Sequence, residues 1–435
     1  MKFRINKLFI FLAVLCLGVP SFAQSGAYTG YSPYSVFGIG DISDMGCAWN
    51  RTMGGVGIAT RNRKVVNTLN PASVTARDSL SFMTDVSVLQ SNTLVTQNGK
   101  NKVTNSANIN DLVISFPVYK KSAMMFGIAP FSNSGYSFAG QTNPEVLPYT
   151  GVISQSSTGQ GSMYQMFAAA GVTFWRKLSL GLEYIYYFGD SQKVNYLTFS
   201  DGSNKGVISG YDINMHAGAF KFGAQYEQKA GSLDLCVGAT YKTRANIRGH
   251  VTDYSVSGSV VVDTLRYNVN DMRDGKGVKF ASELGLGVSL RQSERWRAEI
   301  NYLFSDWSDS GFDTTVGLSS VSTRTFTAKP AHSIRAGFEF TPNVNDIRYF
   351  YRRCTYRAGV YHNQMYYKFA GHDIAATGIT LGVTLPVFRL SNGLTLGVDL
   401  GQKGTVSDNM IRERYVNFSI SMNAFDLWFQ KPRYN

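Results

Sequence analysis

The chain has 435 residues, of which 13% are aromatic and 43 are glycine; its 42 Lys and Arg outnumber 29 Asp and Glu, giving a formal net charge of +13. Aromatics at that level suit strands, and cations scattered through an exported chain, rather than clustered, exclude a nucleic-acid partner. Beyond the first 23 residues nothing approaches the roughly 18 consecutive apolar residues of a membrane helix, the five histidines form no ligand cluster and no catalytic order stands out, so no metal, cofactor or enzyme activity is expected.

The chain opens with Lys2, Arg4 and Lys7, then the apolar run from Leu8 to Val19, then Ser21-Phe22-Ala23 before Gln24. This order is that of a secretory signal peptide over residues 1–23 with cleavage after Ala23. Its loss lowers the net charge to about +10. Basic residues at the rim and loops then suit contact with outer-membrane lipids and lipopolysaccharide. Cys47, Cys236 and Cys354 remain, odd in number and widely spaced, so no disulfide framework is implied.

Residues 24–78 do not alternate. They carry Gly54, Gly55 and Gly57, then Asn70-Pro71-Ala72, a combination of close-approach residues and a turn starter. Gly55-x-Gly57 lacks the third glycine and the following helix of a nucleotide loop. The segment is expected to form a plug.

From Ser79 to about residue 424 the chain repeats one unit, about ten residues alternating apolar with small or polar, closed by a turn. Residues 178–188 show it best, with Leu178, Leu180, Leu182, Tyr184 and Tyr186 on one face and Ser179, Gly181 and Glu183 on the other. About fourteen such strands can be drawn. Tight spacers, such as 119–122 and 292–294, alternate with long ones at 91–108, 134–160, 191–209, 246–276 and 307–327. Outer-membrane barrels have short periplasmic turns and long outer loops, so the expected fold is all-β, a transmembrane antiparallel barrel of about 14 strands with an N-terminal plug. The apolar face is assigned to lipid and the Gly/Ser/Thr face to a wet lumen. Where the apolar face switches sides at Ala219-Phe220, a β-bulge is expected. Among the inner-face charges, Arg297 and Glu299 are expected to pair with Arg335 and Glu339. Residues 425–435 extend past the last strand as a periplasmic tail.

With Gly54, Gly55 and Gly57 ahead of Asn70, Pro71 and Ala72, the chain resembles the FadL/TodX family of outer-membrane transporters for hydrophobic compounds. The resemblance implies a hatch inside a fourteen-stranded barrel and passive uptake of small hydrophobic molecules such as long-chain fatty acids. It also implies lateral exit where the third strand kinks inward. Here that strand holds Gly127, Pro130, Phe131 and Gly135, residues poor at sustaining a ladder. The alternative from the same family is a scaffold or shuttle in type IX protein secretion, with a protein partner on the outer loops or C-terminal tail.

Overall fold

Alternation closes this chain into a barrel. The computed structural model describes residues 30–427 except position 44 and residues 78–80, 120, 143–151, 176, 201–204, 259, 270–276, 320–325 and 390–391. The signal peptide, residues 143–151 within the long spacer 134–160, and residues 428–435 of the expected tail lie outside the described residues.

Fourteen staves follow in chain order: β1 Ser81–Gln97, β2 Lys100–Tyr119, β3 Ser122–Asn133 resuming as Tyr136–Thr142, β4 Ile153–Phe174, β5 Leu178–Phe199, β6 Val207–Ala230 and β7 Leu233–Lys242 resuming as Arg248–Ser257. The second half is β8 Val260–Asn268 resuming as Ser282–Gln292, β9 Trp296–Asp306, β10 Ala331–Phe340, β11 Thr355–Phe369, β12 His372–Arg389, β13 Asn392–Gly404 and β14 Arg412–Leu427. Each is antiparallel to the next, and β14 pairs with β1 from Ser81↔Leu427 to Thr96↔Arg412, so the sheet closes. The first three residues of the expected tail, Phe425 to Leu427, are therefore strand.

Outward positions are apolar and exposed: Leu180, Leu182 and Tyr184 on β5, Phe222 and Tyr226 on β6, and Leu284, Leu286 and Val288 on β8. Their β5 neighbours Ser179, Glu183, Ile185 and Tyr187 are buried inside. Staves of up to 24 residues exceed the ~9–11 that cross a bilayer, so the wall rises well past the membrane at one end.

Several sequence expectations change, and the long spacers drawn at 191–209 and 246–276 are largely strand, belonging to β5 and β6 and to β7 and β8. The loop drawn at 91–108 is the two-residue turn Asn98-Gly99, both at positive φ (49° and 74°), because Asn-Gly is the pair that a type I′ hairpin demands. No bulge occurs at Ala219-Phe220; β6 runs in unbroken register with β5. Its apolar residues switch sides because Ile213, Met215, Ala217 and Ala219 face a filled interior, while Phe220, Phe222 and Tyr226 face out. And the lumen is not wet throughout: Phe37, Phe131, Tyr187, Phe280, Trp307, Phe312, Tyr366 and Tyr367 form a buried aromatic core inside it.

Candidate functional site

What fills the lumen is the N-terminal segment. Three short turns give it shape: a 3-10 helix Pro33–Val36 capped by Ser32, the helix α1 Ala48–Arg51, and a 3-10 helix Pro71–Thr75 capped by Asn70, whose Oδ1 accepts from Ala72 N at 3.0 Å. Pro at the first position of both 3-10 turns uses a site where the missing N–H costs nothing.

The wall receives this segment through inward glycines. A Cβ at Gly359 would lie 2.2 Å from Gly54 N, one at Gly181 2.3 Å from the Pro71 carbonyl carbon, one at Gly238 2.2 Å from Ile58 O and one at Gly337 2.3 Å from Met53 O. The small inner face of the strands thus exists so that another backbone can touch it. Gly54 and Gly55 sit at φ +73° and +75°, which a side chain rarely tolerates, and a Cβ at Gly57 would strike Asn50. Gly54 N donates to Thr380 Oγ1 at 2.8 Å.

Asn70 ties the two regions together. Its Nδ2 donates to Ile58 O at 2.8 Å and to Ala224 O of β6 at 3.3 Å, while Gly223 has no Cβ to obstruct it. Pro71 and Ala72 follow against Gly181. The Asn-Pro-Ala run therefore caps its own turn and bonds the wall. Asn70→Asp keeps the cap and loses both donors, whereas Asn70→Ala loses all three bonds. We expect losses of about 1–2 and 2–3 kcal/mol respectively, measured as unfolding midpoints in denaturant.

Inner-face charges divide between wall pairs and contacts with the N-terminal segment. Glu339 accepts from Arg357 Nε at 2.7 Å and lies 3.6 Å from Arg297 Nη1; Lys242 and Glu283 pair at 3.4 Å. Of the expected quartet only Arg297 and Glu339 meet as predicted. Glu299 instead accepts from Ala59 N at 2.9 Å and from Thr60 Oγ1, and Arg335 donates to Gly55 O at 3.2 Å. They miss their expected partners because the segment's backbone offers unpaired donors and acceptors inside the lumen.

The third stave is interrupted. Its ladder with β2 ends at Leu112↔Ile128, so the ladder does not extend to Lys100–Asp111 of β2. Beyond that point, Ser132 and Asn133 pair with the two-residue strand Asp41–Ile42 of the N-terminal segment. On the β4 side the register slips between Pro130 and Ser132, and the strand lapses at Ser134-Gly135. Gly135 lies on the segment, its carbonyl accepting from Ser32 N (2.9 Å) and Ser35 Oγ (2.8 Å). Phe131 points inward onto Tyr187 (ring centroids 4.5 Å apart), and Gly127 leaves room for the Phe167 ring.

A cavity of about 280 Å³ lies behind this seam. Leu89, Ile109, Ala129, Pro130 and Phe131 line its wall side, and Lys221, Lys242, Asp399 and Lys403 its deeper side. A second cavity of about 270 Å³ lies at the short-turn end.

Cys47 of the segment approaches Asp85 and Asp111 of the wall, with their potential ligand atoms within 4.8 Å of one another. Both carboxylates already accept hydrogen bonds, Asp85 from Ser421 and Asn423 and Asp111 from Ser87 and Asn110. Burial pushes the Cys47 thiol well above its ordinary pKa, with Asp111 and Asp85 adding to the effect, so it stays neutral. Among the described residues, Cys47, Cys236 and Cys354 are free. This cluster was illegible in sequence, since its members come from three separated segments.

A profile of the BamG family matches residues 5–435. The chain belongs to the BamG family. In structure this BamG-family barrel is similar to the Ralstonia pickettii toluene transporter TbuX (12% identity, 86% of this chain and 96% of that one, TM-score 0.55). It is similar also to a Pseudomonas aeruginosa FadL homologue (12%, 90% and 99%, 0.56) and to the Pseudomonas putida toluene transporter TodX (13%, 91% and 100%, 0.55). No curated protein matches the sequence. The fold is that of the FadL-type outer-membrane barrel, and the exposed apolar girdle places the chain in that membrane.

Proposed function

We propose that this barrel is a passive conduit for small, mainly hydrophobic molecules, which pass sideways between the cavity behind β3 and the bilayer. The observation that carries the reading is the seam: the β2–β3 ladder stops at Leu112↔Ile128 while the apolar side of a 280 Å³ cavity lies behind it. The similarity to barrels described as toluene transporters supports the same reading.

Size narrows the substrate. An apolar cavity of ~150 Å³ holds a benzene molecule, so 280 Å³ suits one ring or a short amphiphile better than an extended long-chain fatty acid. The charged inner side suits a ligand with one polar end. Withdrawing apolar matter from water is worth ~0.8 kcal/mol per CH₂. A lateral path avoids returning that energy to water, so no coupling to nucleotide hydrolysis is needed.

The test is uptake of toluene, palmitate and a sugar into proteoliposomes. Toluene uptake is expected to exceed that of protein-free vesicles about tenfold, and Ala129→Trp, which fills the wall side of the cavity, to remove most of the gain. Equal uptake with and without protein would end this reading. The secretion scaffold is the second reading, favoured by how tightly residues 52–75 fit the inward glycines. It expects no uptake and a co-purifying protein.

A further inference from the structure

The cavity at the short-turn end has a chemistry of its own, unconnected with hydrophobic transport. Its lining brings together Arg63, Lys64, Arg291, Arg297, Arg353 and Arg357 against three carboxylates. By the rule that short turns face the periplasm, this mouth opens to that compartment. We propose that it binds a small, water-soluble anion bearing a carboxylate or phosphate group.

The carboxylates present do not neutralise the lining. Arg291 is held by Asp234 (2.9 Å) and Glu227 (3.1 Å), which lie outside the lining, so the charge left unbalanced is that of Arg297, Arg353 and Arg357. Glu294 is taken by Lys64 at 2.9 Å. Glu339 is shared between Arg357 (2.7 Å) and Arg297 (3.6 Å), one carboxylate for two guanidiniums. Asp85 accepts from Ser421 and Asn423 instead. Arg297 is 4% exposed, yet its Nη1 makes no hydrogen bond, and neither does the buried Nε of Arg353. Buried guanidinium donors without acceptors are costly, and a bidentate oxyanion is the group whose geometry they fit. Thr341, Thr355, Thr384 and Thr395 line the same cavity and supply hydroxyls. Trp49 adds aromatic surface, which suits an anion with a planar body.

Apart from Trp296, which stacks on the outward Phe338, the lining side chains point inward from the staves and from the N-terminal segment, away from the lipid-facing girdle. A soluble ligand is therefore the occupant, since a bilayer headgroup would have to leave its membrane. The loop 341–354, the long connection at this otherwise short-turn end, supplies Val344 and Arg353 and forms part of the mouth.

Calorimetric titration of the full-length barrel in neutral detergent, with inorganic phosphate and with benzoate as separate probes, tests the site. Saturable binding of at least one probe is expected, the two titrations deciding between phosphate and carboxylate. Arg353→Gln, at a half-buried position in the loop, is expected to weaken it about tenfold, as is Arg297→Met, which leaves Glu339 paired with Arg357. Arg348→Gln, on the same loop but outside the cavity, is expected to leave the affinity within twofold. No saturable binding of either probe, an Arg348→Gln loss equal to that of Arg353→Gln, or indifference to Arg353→Gln would each overturn the proposal. Because toluene uptake through the seam does not require Arg353, its failure leaves this result independent.

Discussion

Gly359→Val expels the N-terminal segment from the barrel. Valine favours strands, so β11 keeps its local preference and its ladders to β10 and β12. The new Cβ, however, would stand 2.2 Å from Gly54 N and 2.3 Å from the Met53 carbonyl carbon, both backbone atoms that cannot turn aside. Ordinary overpacking of a core costs about 1–3 kcal/mol because side chains shift; here the whole Thr52–Gly55 turn must move. It would also have to give up the Gly54 N to Thr380 bond and the Arg335 to Gly55 bond. We expect a loss of about 3 kcal/mol or more, with the barrel closed and its lumen emptied. Conductance across a planar bilayer should rise from near zero to that of an open pore. Gly140→Val is the control, since nothing lies within 4 Å of a Cβ there. A Gly359→Val barrel that stays as closed as the wild type would show that the segment does not depend on that contact.

The same contact explains what sequence could and could not reveal. Period-two alternation located the staves because lipid outside requires apolar residues on one face, as at Leu180, Leu182 and Tyr184. It misjudged the inner face, where glycine is equally compatible with a wet lumen and with an apposed backbone, and only the partner decides. Gly359 and Gly54 are 305 positions apart, a spacing no local pattern encodes. Asn98-Gly99 was legible but passed over, since the polar Asn and Thr residues around it hid a strand pair that rises beyond the membrane. The seam at β3 was marked by Pro130 and Gly135, although the strand that takes up the vacated ladder, Asp41–Ile42, was not. Glu299 carried the wrong expected partner because cross-strand neighbours can be counted from sequence, whereas the donors Ala59 N and Thr60 Oγ1 of the N-terminal segment cannot.

Glu299→Ala should loosen the segment without opening the wall. The carboxylate is 1% exposed and accepts from Ala59 N at 2.9 Å and from Thr60 Oγ1, so it holds the chain just where the segment turns from the glycine-rich stretch toward Arg61. Alanine would leave both donors buried without an acceptor, at about 1–3 kcal/mol each. Glu299→Gln keeps one carbonyl acceptor and should lose roughly half as much. Neither change touches the β9 ladders, whose bonds are backbone to backbone. The loss should therefore be local, and Arg61, Arg63 and Lys64 report it. Trypsin added to the folded barrel should cut within this cluster at least tenfold faster in Glu299→Ala than in the wild type, with Glu299→Gln between them. If all three forms resist trypsin equally, the glycine contacts hold the segment alone and the Glu299 hydrogen bonds add nothing; if they rank as expected, the carboxylate is the latch and the glycines are the seat.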